Sequence, residues 1–390
     1  MPSWSGPTAL GERSLAPDLA RGALLLFIAL ANSHVFLHGN ELIRGYPLGG
    51  SALDSAVAGV LTTFVDGRSY TMFAALFGYG LVQIFRRQET AGADPEQATK
   101  LLRRRGRWMV VFGLLHAVLL FFGDIIAAYG MLAVIFAGAL RWRDRTLLIW
   151  SGVFLLVGSA VYGMAALPMS GAENEMLLLE ENPLVAAAYR GAFIVFLAPF
   201  GAITAVCSFL LGVWAARRRI LEEPERHVPL LRRTAAVGIG VAVAGGLPLA
   251  LLIAGVVPEP SSGAVWGLGT LHAATGYLGG PGYAAAIALL AVRIGVRRGR
   301  PGPGATAVAA GGQRSMTCYL SQSVVWMLVF PPYTAGLSTR LGVAATAVLA
   351  VGTWLLTVVL AEAMRQANLR GPFEVLLRRL TYGRRRASPR

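Results

Sequence analysis

His116 and Asp124 stand eight residues apart in GLLHAVLLFFGDIIAAYG (113–130), a stretch otherwise made almost wholly of apolar and small residues. Imidazole is the side chain best able to move a proton near neutral pH. It serves as a general base once a substrate group comes within hydrogen-bond reach, and a carboxylate nearby would hold that group in place. Two plainer roles compete. His116 would bond a carbonyl or hydroxyl of a neighbouring helix, and Asp124 would cap the helix that begins at GDII.

A second set of costly groups lies in LAPDLARGALLLFIALANSHVFL (15–37). Asp18 and Arg21 are three apart and pair on one helix face. Arg21 and Asn32 are eleven apart, which at about 100° per residue returns to nearly the same face. A third set opens the run RSMTCYLSQSVVW (314–326), where Tyr319 and Gln322 stand among apolar residues. Polar groups at such positions bridge helices or line a wet interior.

The elements that must position these groups follow from composition. The chain has 390 residues, 55% hydrophobic and 14% charged, with mean hydropathy +0.59. Soluble domains carry about 25% charged residues. Apolar runs long enough to cross a bilayer as helix recur along the chain, and lipid leaves the backbone no partners outside the helix. The expected fold is an all-α polytopic bundle. Its spans are near 15–37, 69–86, 108–122, 125–140, 146–168, 193–216, 234–256, 279–296, 315–331 and 343–366, about ten in all. The stretches 52–66 and 264–278 are expected as half-inserted or interfacial helices.

The first run carries Asp18, Arg21 and Asn32 and no small-residue cleavage site, so it is expected as a retained span rather than a signal peptide. Cys207 and Cys318 both fall in apolar runs, which gives neither a disulfide framework nor a metal cluster. The net charge of +15 sits in short clusters such as KLLRRRGR (100–107), ARRRILEEPERH (216–227) and RRLTYGRRRASPR (378–390). That is the pattern of positive loops facing the cytoplasm, not of nucleic-acid binding. Both termini are then cytoplasmic, in a plasma membrane whose lipid is the chain's surroundings. The acidic segment 169–192, with Glu173, lies outside. Residues 297–312 read as a Gly/Pro-rich cytoplasmic linker, and 367–390 as a basic cytoplasmic tail.

His116 lies nine residues beyond Arg107, roughly 13 Å into the membrane. With the hairpin helices this short, the outer face is expected to be dished there, so that water reaches Asp124 and the pair shares a chamber with Arg21.

Five segments in order resemble the YeiB family of bacterial membrane proteins. They are GERSLAPDLARGALLLFIALAN (11–32), RSYTMFAALFGYG (68–80), FGLLHAVLLFFGDIIAAYG (112–130), CYLSQS (318–323) and GPFEVLLRRLTYG (371–383). The resemblance implies kinship with transmembrane acyltransferases, including the enzyme that acetylates heparan glucosamine. These pass an acyl group from a cytoplasmic thioester to an acceptor across the membrane. Where that wider group has a histidine eleven residues after the arginine, this chain has Asn32, so the group's catalytic histidine has no counterpart at that position.

On this reading acyl-CoA, such as acetyl-CoA, is the donor and an envelope or small molecule the acceptor, with no metal. His116 and Asp124 are the catalytic candidates. Asp18, Arg21, Asn32, Tyr129, Tyr319 and Gln322 are the candidates for substrate or donor binding, and the basic segment 100–107 would draw the donor's phosphates. A small-molecule or lipid transporter or flippase, and a non-catalytic partner of envelope enzymes, are the competing readings.

Overall fold

The computed structural model describes residues 14–170, 175–176, 178–298 and 301–383. Glu173, Gly11–Arg13 of the first motif and the basic residues beyond Gly383 lie outside these. The described chain is almost entirely helical. The helices are α1 (Leu15–Ser33), α2 (Ala52–Phe64), α3 (Ser69–Thr90), α4 (Pro95–Leu119), α5 (Ile126–Phe136), α6 (Asp144–Gly163) and α7 (Pro183–Arg217). They continue as α8 (Val228–Ile253), α9 (Ser262–Arg298), α10 (Pro303–Gln313), α11 (Ser315–Val329), α12 (Val343–Gln366) and α13 (Pro372–Tyr382). Among the described residues, six helical segments are long and apolar enough to cross a membrane: Leu15–Phe36, Asp144–Ala166, Pro183–Arg217, Pro224–Ile253, Ser262–Val296 and Val343–Gln366. The protein is a multi-pass helical membrane protein.

The bundle has two chemically distinct ends. Arg86, Arg217 and Arg314 lie at one, held by Glu222, Asp144 and backbone carbonyls, and Arg105 is there near Glu374 and Tyr382. At the other a small antiparallel sheet, ordered β2-β1-β3, joins β1 (Glu41–Ile43), β2 (Tyr46–Pro47) and β3 (Pro168–Ser170).

Two regions differ from the sequence expectation. Residues 264–278 are not a separate element but the first half of α9, which runs through Pro281. A proline is tolerated inside a spanning helix where neighbouring helices and small local adjustments satisfy the backbone group it frees. The neighbouring Gly279 and Gly280 also bring the helix against Arg68 and Thr71, where an added Cβ would meet side-chain and backbone atoms at 2.9 Å or less. Likewise, most of the segment expected as a linker is helix α10. Proline at its start suits the first turn, where no amide partner is needed. Its glycines serve contact rather than flexibility: a Cβ on Gly312 would lie 1.8 Å from the Asp18 carbonyl oxygen. By contrast 52–66 forms the independent helix α2, opened by a reciprocal capping box between Ser51 and Asp54. Asp54 also accepts the Ala344 amide at 2.9 Å and so ties α2 to the start of α12.

The last helix closes the arginine-rich end. Glu374 accepts the Met316 and Thr317 amides at 2.8 and 3.1 Å and also the Thr317 hydroxyl. The carboxylate therefore caps the N-terminus of α11 from another helix, where the helix dipole favours it.

Close approach of α1 and α10 gives a direct test. A Cβ on Gly22 would sit 1.9 Å from the Val308 carbonyl oxygen, whereas Gly152 faces open space. Gly22→Ala is expected to destabilise the protein by about 1–3 kcal/mol through overpacking, and Gly152→Ala to leave it unchanged or slightly steadier. Unfolding in mixed micelles measures both.

Candidate functional site

Helix α4 starts at a capping aspartate, Asp94, followed by Pro95, and ends at Leu119, one turn beyond His116. The Phe121 amide folds back to the His116 carbonyl at 3.0 Å. The following turn presents Asp124 to two partners. One carboxylate oxygen accepts the Ala127 amide in the first turn of α5 at 2.7 Å, and the other lies 2.7 Å from His116 Nδ1. The helix cap expected of Asp124 forms, and the same side chain also pairs with His116, a contact the sequence reading did not name. Gly113 leaves the room: a Cβ there would be 2.1 Å from the Ala127 nitrogen and 2.3 Å from the Asp124 carboxylate.

The pair is fully enclosed, with side-chain exposures of 2% and 0%. The dished, watered outer face expected at Asp124 is therefore absent. A carboxylate accepts hydrogen bonds and does not donate them, so Nδ1 carries the proton and Nε2 keeps its lone pair. No hydrogen-bond partner meets His116 Nε2. The Tyr319 ring lies 5.2 Å away, centroid to centroid, and its hydroxyl is also buried without a partner.

On the far side of Tyr319 lies a partly enclosed cavity of about 630 Å³ that reaches the arginine-rich end. Asp18, Arg21, Arg105, Tyr129 and Tyr319 line it, with Phe73, Phe77, Met109 and Ile126 as its apolar walls. The Asp18–Arg21 pair is formed at 3.3 Å, and Gln313 donates to the second Asp18 oxygen at 3.0 Å. Tyr129 is pinned by its hydroxyl to the Tyr70 carbonyl at 3.0 Å. Burial lowers the Arg105 pKa from its ordinary value and the Arg21 charge lowers it further, against the opposing pull of Tyr382 and Glu374. Arg21 and Arg105 repel each other and favour an anionic group beside them, in a lining of mixed charge that also carries Arg87, Glu222, Glu223 and Glu374.

The residues singled out in the sequence thus fall into three groups. Asp18, Arg21, Tyr129 and Tyr319 share the cavity. His116 and Asp124 sit one aromatic ring behind it, so they do not share a hollow with Arg21. Asn32 and Gln322 do not line the cavity; Gln322 spends its amide on the Leu25 carbonyl at 3.3 Å. Arg105 was hidden in a basic run, where positive-inside bias explains every charge equally well. Its signal is the eleven-residue spacing to His116, which puts both on one face of α4.

The site and fold define a multi-pass membrane protein with a buried Asp–His pair beside a cavity of mixed charge. Residues 215–384 match the family described as "Protein of unknown function (DUF418)". The chain is also similar to "Uncharacterized protein YxaH" of Bacillus subtilis (strain 168), at 25% identity over 418 aligned positions that cover 96% of each chain. The family match includes Tyr319 and Glu374 but begins after His116 and Asp124.

Asp124→Asn makes the proton assignment testable. The Ala127 amide needs an acceptor, so the carboxamide oxygen stays with it and the nitrogen turns to His116. Imidazole 15N shifts should then report an Nδ1-protonated ring in the wild type and an Nε2-protonated ring in the variant.

Proposed function

We propose that the protein is a membrane-embedded acyltransferase that takes an acyl group from a cytoplasmic acyl-CoA and delivers it to an acceptor nearer the opposite face. The observation that carries this reading is the imidazole of His116, oriented by Asp124 and left with an unpartnered Nε2, one ring behind a cavity whose other end holds Arg21 and Arg105. Charge bias orients the chain, with the arginine-rich end and both termini cytoplasmic in the plasma membrane. Helices α3, α4, α5 and α11 then add to the six long ones to give ten crossings.

Each group has a role that its position supports. Arg21 and Arg105 hold donor phosphate charge at the cavity mouth, and the apolar walls receive the thioester arm. His116 Nε2 accepts the proton of the acceptor hydroxyl or amine as that atom attacks the thioester carbonyl. The new acyl–oxygen or acyl–nitrogen bond forms, the carbon–sulfur bond breaks, and the proton passes from His116 to the departing thiolate. Asp124 stabilises the imidazolium between these steps and fixes its tautomer. Tyr319 is the movable partition: its hydroxyl makes no well-formed hydrogen bond, and rotation of its ring joins His116 to the cavity.

Purified protein in nanodiscs, incubated with radiolabelled acetyl-CoA and membrane lipid extract, tests this. Label transfer is expected, with a loss of about 10²–10⁴-fold in His116→Ala, the usual worth of a general base. Arg105→Ala should raise KM for the donor and spare kcat. Solute counterflow in proteoliposomes with no label transfer would overturn the proposal in favour of transport.

A further inference from the structure

At the end of the bundle opposite the arginine-rich one, polar groups gather that the fold leaves unsatisfied. The hairpin between β1 and β2 turns on Arg44 and Gly45, with φ of 58° and 76°, as a two-residue hairpin of this type requires. Glycine adopts that conformation freely, but arginine does so at a cost of about 1 kcal/mol or more. The strained turn aims the Arg44 guanidinium inward. It lies 4.2 Å from the centre of the Tyr162 ring and donates to that residue's hydroxyl.

Around it stand Tyr46, Thr62, Asp66 and Arg68. Arg68 is wholly buried, donates to the Asp66, Thr62 and Ala242 carbonyls and touches the His272 ring at 3.0 Å. These carbonyls carry no full negative charge. Asp66 is the described acid whose charge acts on both arginines. Two guanidiniums thus share one carboxylate in a place of low dielectric, where an unmatched charge costs several kcal/mol.

The hydrogen-bond inventory is equally incomplete. Tyr46 faces both Asp66 and Thr62 and interacts with each, yet none of these contacts has the geometry of a well-formed hydrogen bond. Arg44 Nε, Arg68 Nε, the Tyr46 hydroxyl, Thr62 Oγ1 and Asp66 Oδ2 are all buried and unpartnered. Tyr46 and Thr62 are 0% exposed and Asp66 is 2% exposed. Native interiors carry few such atoms, and here five converge. Four can donate to an anion, and the fifth, on Asp66, can only accept when ionised.

We propose that this cluster is a binding site for a small carboxylate that also bears a hydrogen-bond donor, a hydroxyl or an ammonium. Arg44, Arg68 and the Tyr46 hydroxyl take the carboxylate, and Asp66 reads the donor. The Arg44 hairpin, half-buried at the surface, is the way in. The site rests on none of the acyl-transfer chemistry and stands whether or not that occurs.

Thermal unfolding of the full chain in nanodiscs, with lactate, glycine or acetate as probes at constant ionic strength, decides it. Lactate or glycine is expected to raise the midpoint by about 2 °C or more, in the wild type and equally in His116→Ala. Acetate, which lacks the donor, should shift it less. Thr62→Val and Asp66→Asn should abolish the preference over acetate, and Arg44→Gln the whole shift. Thr62→Val is the mildest of these and keeps the test valid where the charge variants fail to fold. A wild-type midpoint unmoved by every probe would mean that water alone fills the cluster and would overturn the proposal. So would a shift that survives in all three variants.

Discussion

Ionised carboxylate inside an apolar bundle is tolerated only when every lone pair that matters is met. Asp124 meets this condition by dividing its two oxygens between the α5 backbone and the His116 ring. One side chain therefore sets where α5 begins, how the α4–α5 turn closes and which imidazole nitrogen is left free. Gly113 belongs to the same constraint, since any side chain there would occupy the carboxylate's place. The tight crossing of α4 and α5, with Gly106 against Gly130 further along, brings the turn close enough for the contact.

Much of the architecture is legible from charge and hydropathy, because lipid imposes helices and the arginine clusters mark one end. His116 and Asp124 were legible for a related reason: in an oily stretch, each ionisable group is conspicuous. The boundaries at Gly and Pro were not. Rules learned in water read GYLGGPGY (276–283) and GRPGPGATA (299–307) as breaks. In the bundle Gly279, Gly280 and Pro281 instead lie inside a continuous α9, and Pro303 opens the helix α10, whose Gly312 packs against α1.

The site was legible in pieces and not as a whole. Spacing along a helix reveals partners such as Asp18 and Arg21, or the helix cap at Asp124, since these are local. It reveals nothing of Arg68 against His272, which are 204 residues apart in sequence, nor of the Tyr319 ring set between His116 and the cavity. The common chamber expected for Arg21, His116 and Asp124 fails for that reason. Helix faces were read correctly, but the side chain that separates them comes from α11, whose contacts no local pattern encodes.

Glu374 and Leu377 on α13 wall the cavity, and Glu374 also caps α11. During synthesis every long apolar helix is made before Pro372, so the membrane receives the bundle while its pocket still lacks one side. The cavity becomes whole only when the ribosome has released the chain past Leu377. The order of synthesis thus makes the C-terminal helix the last wall of the cavity to be put in place.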